Sequence, residues 1–329
     1  MRGVPETILV APDSFKGTFT ATEVAEAIGR GLTDGGRPVD LCPLADGGEG
    51  TADALQTALG GERHTVSAHD PLGREIDAEF VLTDDGAAAF VDTAAASGLG
   101  LIAEGERDAW AASSTGTGEL LVAASQAGAR TIYLGVGGSA TTDGGAGALS
   151  AIEDAGGLGD VRLIVLCDVR TPFEDAAKVF APQKGADAET VARLSRRLAQ
   201  LARRLPRDPR RVEMTGAAGG LSGGLRAALD AELVSGAGFV LDAVGFDARM
   251  RAARCVVTGE GRLDQQSLVG KLVSEVATRA RQAGVPCHVV AGTRELDAMG
   301  ARVLDLERVL EASTRDELVA AGRKLAEVI

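Results

Sequence analysis

The sequence predicts an α/β protein of two domains, a Rossmann/flavodoxin-like parallel-sheet domain with a second α/β domain inserted in it. Three observations predict it. Short apolar runs alternate with amphipathic helical patterns at both ends of the chain, a rhythm of parallel sheets. Between them, residues 64–92 alternate with period two and are broken by turn residues, as a β-meander is. Finally, the 329 residues are 45% hydrophobic but only 3% aromatic, with 44 Gly. A core built from that set is made of Ala, Val, Leu and Ile, and its many tight turns suit strand-to-helix loops.

The elements follow in order. Thr7 to Val10 is a first strand, ending in Ala11-Pro12-Asp13-Ser14-Phe15-Lys16-Gly17. Thr20 and Glu23 form a capping box ahead of a helix with Val24, Ala27, Ile28 and Leu32 on one face. Val39 to Leu44 is a second strand, ending in Ala45-Asp46-Gly47-Gly48-Glu49-Gly50-Thr51, with a second helix behind it. The meander then runs through Thr65 to Val66, Ile76 to Leu82 and Ala87 to Val91. Its turns are Pro71-Leu72-Gly73 and Asp84-Asp85-Gly86. Thr131 to Leu134 reads as a strand feeding a glycine loop, Gly135 to Gly147, and Leu163 to Cys167 as a strand ending in Asp168. Residues 191–211 put Val191, Leu194, Leu198, Leu201 and Leu205 on one stripe and a run of arginines on the opposite, solvated face. Cys255 to Thr258 is a strand ending in Gly259-Glu260-Gly261-Arg262-Leu263-Asp264. A helix follows from about Ser267, then a strand from Cys287 to Ala291 and a last helix capped by Thr314 and Glu317. On this reading residues 1–62 and 247–329 form the parallel-sheet domain, and 63–246 the inserted domain that carries the glycine loop.

Composition excludes several functions. A formal net charge of −13 argues against nucleic acid or an anionic membrane as the partner. No apolar run reaches the roughly 18 residues of a membrane-spanning helix. Cys42, Cys167, Cys255 and Cys287 are widely spaced and read as buried, reduced thiols, which places the protein in the cytoplasm. His64, His69 and His288 do not cluster, against a zinc site or a Ser-His-Asp triad. The Walker A, G-x-G-x-x-G and protein-kinase patterns are absent.

What remains points to phosphoryl chemistry. Six of the thirteen residues from Gly135 to Gly147 are glycine, behind a strand and ahead of a helix. Backbone N–H groups can there approach an anion, and the helix N-terminus adds positive potential. Within this loop Gly137, Gly138, Ser139, Thr141, Asp143 and Gly144 are the candidates to face the phosphate of a ligand, and Asp143 can also meet a cation. Asp13, Ser14 and Lys16 bring a cation and a hydroxyl to one strand end. Asp46 and Glu49 flank a glycine pair at a helix start, and Glu260, Arg262 and Asp264 repeat the acidic theme with an added cation. Phosphoryl transfer calls for backbone donors, a carboxylate-held metal, a cation against developing charge and a group orienting the acceptor hydroxyl, and each has a candidate here.

Taken together, eight ordered motifs resemble the glycerate kinase class I family. They are the Ala11–Gly17 and Ala45–Thr51 loops, Ala94-Ala95-Ala96-Ser97-Gly98-Leu99, Thr115-Gly116-Thr117-Gly118-Glu119-Leu120, the glycine loop, Pro182-Gln183-Lys184-Gly185-Ala186, Gly216-Ala217-Ala218-Gly219-Gly220-Leu221, and Thr258 to Asp264. The resemblance implies phosphorylation of D-glycerate by ATP and Mg²⁺, at the 2-hydroxyl, in organic acid catabolism. It puts Lys16, Asp46, Arg262 and Asp264 in catalysis. Lys16 and Arg262 would hold the glycerate carboxylate or the transferred phosphoryl group, and Asp46, Glu49 and Asp264 a metal or the acceptor hydroxyl. Asp13, Ser14, Glu49, Glu260, Gln183 and Lys184 are expected around the substrate, and Asp143 and Asp168 at the metal. A homodimer is compatible with it. The chain departs from the family pattern at Thr142, where Asn is usual, at Asp92-Thr93, where Glu-Met is usual, and in several shortened segments. A kinase for another small hydroxy acid and a non-catalytic relative that binds a nucleotide or metabolite are the alternatives.

Overall fold

A computed structural model of the chain describes residues 6–268 and 271–329. The chain divides into two compact units, Met1–Asp46 with Ala237–Ile329, and Gly47–Gly236. In chain order the first segment carries β1 (Ile8–Val10), α1 (Ala21–Asp34) and β2 (Val39–Leu41). The middle carries α2 (Thr51–Leu59), β3 (Glu62–His69), β4 (Glu75–Leu82), β5 (Ala88–Asp92), α3 (Ala94–Ser97), α4 (Thr115–Gln126), β6 (Thr131–Gly135), α5 (Ala146–Asp154), β7 (Arg162–Leu166), α6 (Ala176–Phe180), α7 (Ala188–Ala202), α8 (Leu221–Leu229) and β8 (Glu232–Val234). The last segment adds α9 (Gly236–Ala243), α10 (Phe246–Ala252), β9 (Cys255–Leu263), α11 (Leu272–Ala283), β10 (Cys287–Arg294), α12 (Ala298–Val303), β11 (Leu306–Glu311) and α13 (Arg315–Ala326).

The first unit is a five-stranded sheet in the order β11-β10-β9-β1-β2, parallel throughout. β1 is Ile-Leu-Val and wholly buried, as a central parallel strand covered on both faces must be. Ile8, Val10, Cys255, Val257 and Val290 meet Val24, Ile28 and Leu32 of α1 and Leu318 and Leu325 of α13 in one core. Both helices start on capping boxes, Thr20 with Glu23 and Thr314 with Glu317, as their sequence pattern requires. They cross at Gly31 and Gly322, where a Cβ would collide with the backbone of the other helix.

The second unit is a six-stranded sheet in the order β3-β4-β5-β6-β7-β8. β3, β4 and β5 pair antiparallel, as the meander predicts, and β5 to β8 run parallel. Phe80, Val91, Ile132, Leu134 and Val165 of the sheet pack with Leu120, Leu121, Leu221 and Leu225 of the helices. α2 belongs to this unit, because Asp92 at the end of β5 accepts the amides of Gly50 (3.0 Å) and Ala52 (3.3 Å) and so caps it. Leu194 and Leu198 of α7 bury against Phe173 in a separate cluster.

Some elements differ from the sequence reading. β2 stops at Leu41: Cys42 and Leu44 still donate to the Val10 and Pro12 carbonyls, but Pro12 has no N–H to return a bond and the ladder ends. β9 does not end at Thr258. It runs on to Leu263 because β10 continues beside it, with Ala291 opposite Glu260 and Arg294 opposite Leu263. α11 begins at Leu272, after a short 3₁₀ turn at 265–268, and residues 269–270 of the expected helix lie outside the described residues. α7 ends at Ala202, before Leu205. β8, β11, α3, α4, α6, α8, α9, α10 and α12 are not among the elements read from the sequence. Among the described residues, no helix is long and apolar enough to cross a membrane. All four cysteines are unpaired and buried, and burial pushes the Cys42 thiol up to about 11 and the Cys167 thiol up to about 12.

Candidate active site

In the first unit β1 continues to β2 on one side while β9 continues to β10 and β11 on the other. β1 and β9 are thus the neighbours from which the chain departs in opposite directions, and α/β sheets bind ligands at the carboxyl ends of such a pair. The loop after β1 stays zipped to β9, with the Ala11 amide on the Val257 carbonyl and the Asp13 amide on that of Gly259, both at 2.8 Å. That pairing fixes Asp13 in a buried place, 6% exposed. Burial, with the charges of Asp46 and Glu260 adding to it, pushes its carboxyl up to about 8, against Lys16 and the Ser14 amide. Lys16, by contrast, has a side chain 61% exposed and pairs with Asp46 at 3.1 Å, which holds its ammonium above the usual range.

Glu260, 7% exposed, faces the same neighbourhood from β9. Burial raises its carboxyl, while the Ser267 hydroxyl and Lys271 pull the other way. Its Oε1 is buried and has no hydrogen-bond partner among the described residues. Lys271 stands 3.6 Å from Glu260 Oε2 and 3.7 Å from Asp264 Oδ1. Of the expected residues the structure therefore gathers Asp13, Lys16, Asp46, Glu260 and Asp264, with Ser14 contributing its amide to Asp13 at 2.7 Å. Arg262, 61% exposed, stands at the edge of this group: its Nε lies 3.7 Å from Asp264 Oδ2, and its Nη2 pairs with Glu295 at 2.6 Å. Lys271 was not singled out by the sequence. The signal was a lysine at a helix start beside an acidic motif, but only the β9–β10 extension brings them together.

The glycine loop in the second unit behaves otherwise. Residues 139–145 are buried, while Gly137 is half-buried and Gly138 exposed beside Glu49. Asp143 is consumed by its own unit: Oδ2 accepts the Ser114 amide (2.9 Å), the Ser114 hydroxyl (2.8 Å) and the Gly147 amide (3.1 Å), and Oδ1 the Gly145 amide (3.0 Å). It thus caps the converging N-termini of α4 and α5, and its oxygens are filled by donors where a metal would need them empty. Lys184, expected at the substrate, is 2% exposed and donates to Ser139 Oγ (3.0 Å) and the Thr141 carbonyl (2.6 Å), and burial brings its amine down to about 7. Gly144 packs on Phe173, Leu198 and Leu201.

The other expected residues are scattered in this unit. Asp168 accepts the Ser235 hydroxyl (2.8 Å) and the Gly236 amide (2.9 Å) at the start of α9. Gln183 is exposed on the turn before Lys184. Asp143, with four donors on its oxygens, is a poor magnesium ligand, while the Ser235 and Gly236 bonds both fall on Oδ1 of Asp168. No group of three His, Cys, Asp or Glu side chains able to hold a metal exists among the described residues. The expected solvated arginine face is partly occupied. Arg193 and Arg197 stack on Trp110, at 4.2 and 4.7 Å from the ring centroid, and Arg197 donates to the Trp110 and Thr142 carbonyls, each at 2.8 Å.

A family model described as the glycerate kinase family matches residues 8–155 and 154–324, nearly the whole chain. The chain belongs to the glycerate kinase family, and it is a kinase. It is 39% identical over 327 residues to a glycerate kinase of Halalkalibacterium halodurans, covering 87% of this chain and 85% of that one. It is 36% identical over 324 residues to the glycerate 2-kinase of Escherichia coli K12, with 87% and 85% covered. A solved structure of a protein assigned as glycerate kinase 2, from Salmonella typhimurium LT2, superposes with a TM-score of 0.79 at 33% identity, covering 98% of this chain and 97% of that one. The two-unit α/β architecture is thus that of a glycerate kinase. Both motifs of the switch point, Asp13–Gly17 and Thr258–Asp264, lie within the matched residues.

Proposed function

We propose that the protein transfers the γ-phosphoryl group of ATP to D-glycerate at the 2-hydroxyl. The names of its relatives support the substrate, and the Lys16–Asp46 pair set beside buried Asp13 and Glu260 is the observation that carries the chemistry. Lys16 is a half-open ammonium on a strand-end loop, suited to stabilise charge on the transferred phosphoryl group, and Asp46 fixes its direction. Asp13 receives a hydroxyl of the acceptor at the floor of the site. Gly138, the exposed residue of the glycine loop, offers its backbone N–H to nucleotide phosphates, while the Gly137 amide donates to the Gly47 carbonyl at 3.4 Å. Mg²⁺ enters this reading as the chelate of ATP, since magnesium commonly leans on substrate phosphates and water and no group of three acidic, His or Cys side chains stands ready for it among the described residues. Four buried free thiols suit a reducing compartment, the cytoplasm.

The test is turnover. With Mg-ATP and D-glycerate, ADP release matched by 2-phosphoglycerate in the ³¹P spectrum is expected. No ADP from D-glycerate removes the substrate from the proposal, and 3-phosphoglycerate as the product removes the 2-hydroxyl. ADP from a panel of other 2- and 3-hydroxy acids, with D-glycerate poor among them, replaces the acceptor and keeps the reaction.

A further inference from the structure

Lys271 is an odd residue where it stands. It is the N-cap of α11, a helix of twelve residues, with φ −96° and ψ 162°, and its side chain makes no cap bond. N-caps favour Ser, Thr, Asp and Asn, and a cation at the positive end of the helix dipole is unfavourable. The ammonium does not settle into a tight ion pair either. Its two carboxylate neighbours, Glu260 and Asp264, stand at 3.6 and 3.7 Å, beyond hydrogen-bond distance, and the side chain is 32% exposed. A helix N-terminus and an ammonium pointing the same sign at the same place make a receptor for an anion.

A second observation points to what that anion carries. Glu260 is 93% buried by its 7% exposure, yet its Oε1 has no hydrogen-bond partner among the described residues. An orphaned buried carboxyl oxygen is costly unless a ligand supplies the missing contact. A hydroxyl group supplies it. One side of this place thus wants an anion and the other a hydroxyl, the two groups of a short hydroxy acid.

We propose that Lys271, seated at the N-terminus of α11 beside the unpartnered Glu260 Oε1, binds the carboxylate of the hydroxy-acid acceptor and sets the enzyme's preference for acids over uncharged polyols. The role deepens the reading of the protein as a kinase of glycerate and rests on that reading. It also moves the carboxylate-binding cation from Arg262, whose closest pairing is with Glu295 at 2.6 Å and whose Nε is 3.7 Å from Asp264, to Lys271. Lys16 is left to the transferred phosphoryl group.

The experiment compares Lys271→Met, Lys271→Arg and Arg262→Met with the wild type, each checked for an unchanged circular dichroism spectrum. Lys271→Met is expected to raise KM for D-glycerate about tenfold or more, a loss of about 1.4 kcal/mol or more, and to leave KM for ATP within about threefold. The ratio of kcat/KM for D-glycerate to that for glycerol, which lacks the carboxylate, falls by about the same factor in Lys271→Met and recovers in part in Lys271→Arg. A merely structural lysine would lower both substrates alike and leave that ratio unchanged, which overturns the proposal. So does an Arg262→Met variant that loses as much discrimination as Lys271→Met. A second measurement does not depend on turnover. Reductive methylation of wild-type Lys271, followed by peptide mass spectrometry, is slowed by D-glycerate and not by glycerol; equal rates with and without D-glycerate overturn the assignment. If the wild type makes no ADP from any hydroxy acid, the kinase reading of the acceptor fails, and the labelling result alone decides whether Lys271 is a carboxylate site.

Discussion

The glycine loop and the carboxyl end of the β1–β9 pair are both rich in the residues of phosphoryl chemistry, but they spend them differently. In the glycine loop the charged groups are committed inside their own unit, and only the neutral hydroxyls of Thr141 and Thr142 lack a partner among the described residues. Asp143 accepts four donors, and Lys184 is buried between a hydroxyl and a carbonyl. At the β1–β9 end the charges are half-open and loosely matched: Lys16 is 61% exposed, Lys271 lies 3.6 Å from its nearest carboxylate, and Glu260 Oε1 has no partner among the described residues. Glycine density reports that backbones and helix ends approach closely. Imperfectly satisfied charge near the surface reports where a ligand completes the set.

The comparison breaks most readily at Asp143. The Asp143→Ala change leaves the Ser114 amide and hydroxyl and two glycine amides without their acceptor at two helix ends. A loss of about 3 kcal/mol or more in urea unfolding is expected, with the Mg²⁺ concentration for half-maximal activity unchanged in whatever folds. A protein of wild-type stability with a raised Mg²⁺ requirement would make this carboxylate a metal ligand and erase the contrast. Lys16→Ala is its opposite. kcat/KM should fall about a hundredfold, or ~2.7 kcal/mol. The melting temperature should move by no more than about 2 °C, since an exposed ion pair contributes little to folding. A loss under about tenfold argues against Lys16 as the phosphoryl-binding cation.

The two regions also titrate with opposite sign. Asp13 is raised from 3.8 to about 8, so between those values the folded chain keeps a proton that the unfolded chain has released. Its stabilising contribution is full below the unfolded value and is lost as pH rises toward 8. Lys184 is lowered from 10.5 to about 7, so the folded chain has released a proton that the unfolded chain keeps, and stability from this group grows as pH rises through that window. Melts of Asp13→Asn should gain on the wild type as pH goes from 5 to 8, by about 1 kcal/mol per pH unit at the steepest. Lys184→Met, whatever its fixed cost, should lose ground to the wild type from pH 7 to 9. Parallel slopes for the two variants would mean that the carboxyl and the amine are not perturbed in opposite directions.

Local rules made much of this legible. Thr20 with Glu23 and Thr314 with Glu317 declare their helices, Ile8 to Val10 declares a central strand, and the alternation from Thr65 to Val91 declares the meander, because each depends on residues a few positions apart. The site was legible as motifs and illegible as roles. Asp143 meets Ser114, Lys184 reaches Thr141, and Arg262 turns to Glu295 through contacts that sequence spacing does not encode. Lys271 stayed hidden for the same reason: nothing in its neighbours reveals that β9 and β10 run on together past Thr258 and carry Glu260 and Asp264 to it. Thr142, where the family usually has Asn, is wholly buried with its hydroxyl unpartnered among the described residues, and its carbonyl is held by Arg197.

The smallest effect sharpens how that loop is fastened. Trp110, the chain's single tryptophan, is 37% exposed and carries the guanidinium groups of Arg193 and Arg197 over its ring. In Trp110→Leu the stacking goes, but Arg197 keeps its bonds to the carbonyls of residues 110 and 142, because both are backbone acceptors. Stacked cations at partly exposed sites contribute about 0.5–1 kcal/mol each, so a stability loss of about 1–2 kcal/mol is expected. Hydrogen exchange at Thr141 to Asp143 should stay at the wild-type rate. Turnover should stay within about twofold, since a fastened, buried stretch of loop contributes to packing and not to phosphate contact. If exchange there accelerates while α7 stays protected, the ring and not the hydrogen bonds holds the loop. If KM for ATP also rises about tenfold, the buried half of the glycine loop acts in nucleotide binding after all, and the division between a packed loop and a reactive sheet end fails.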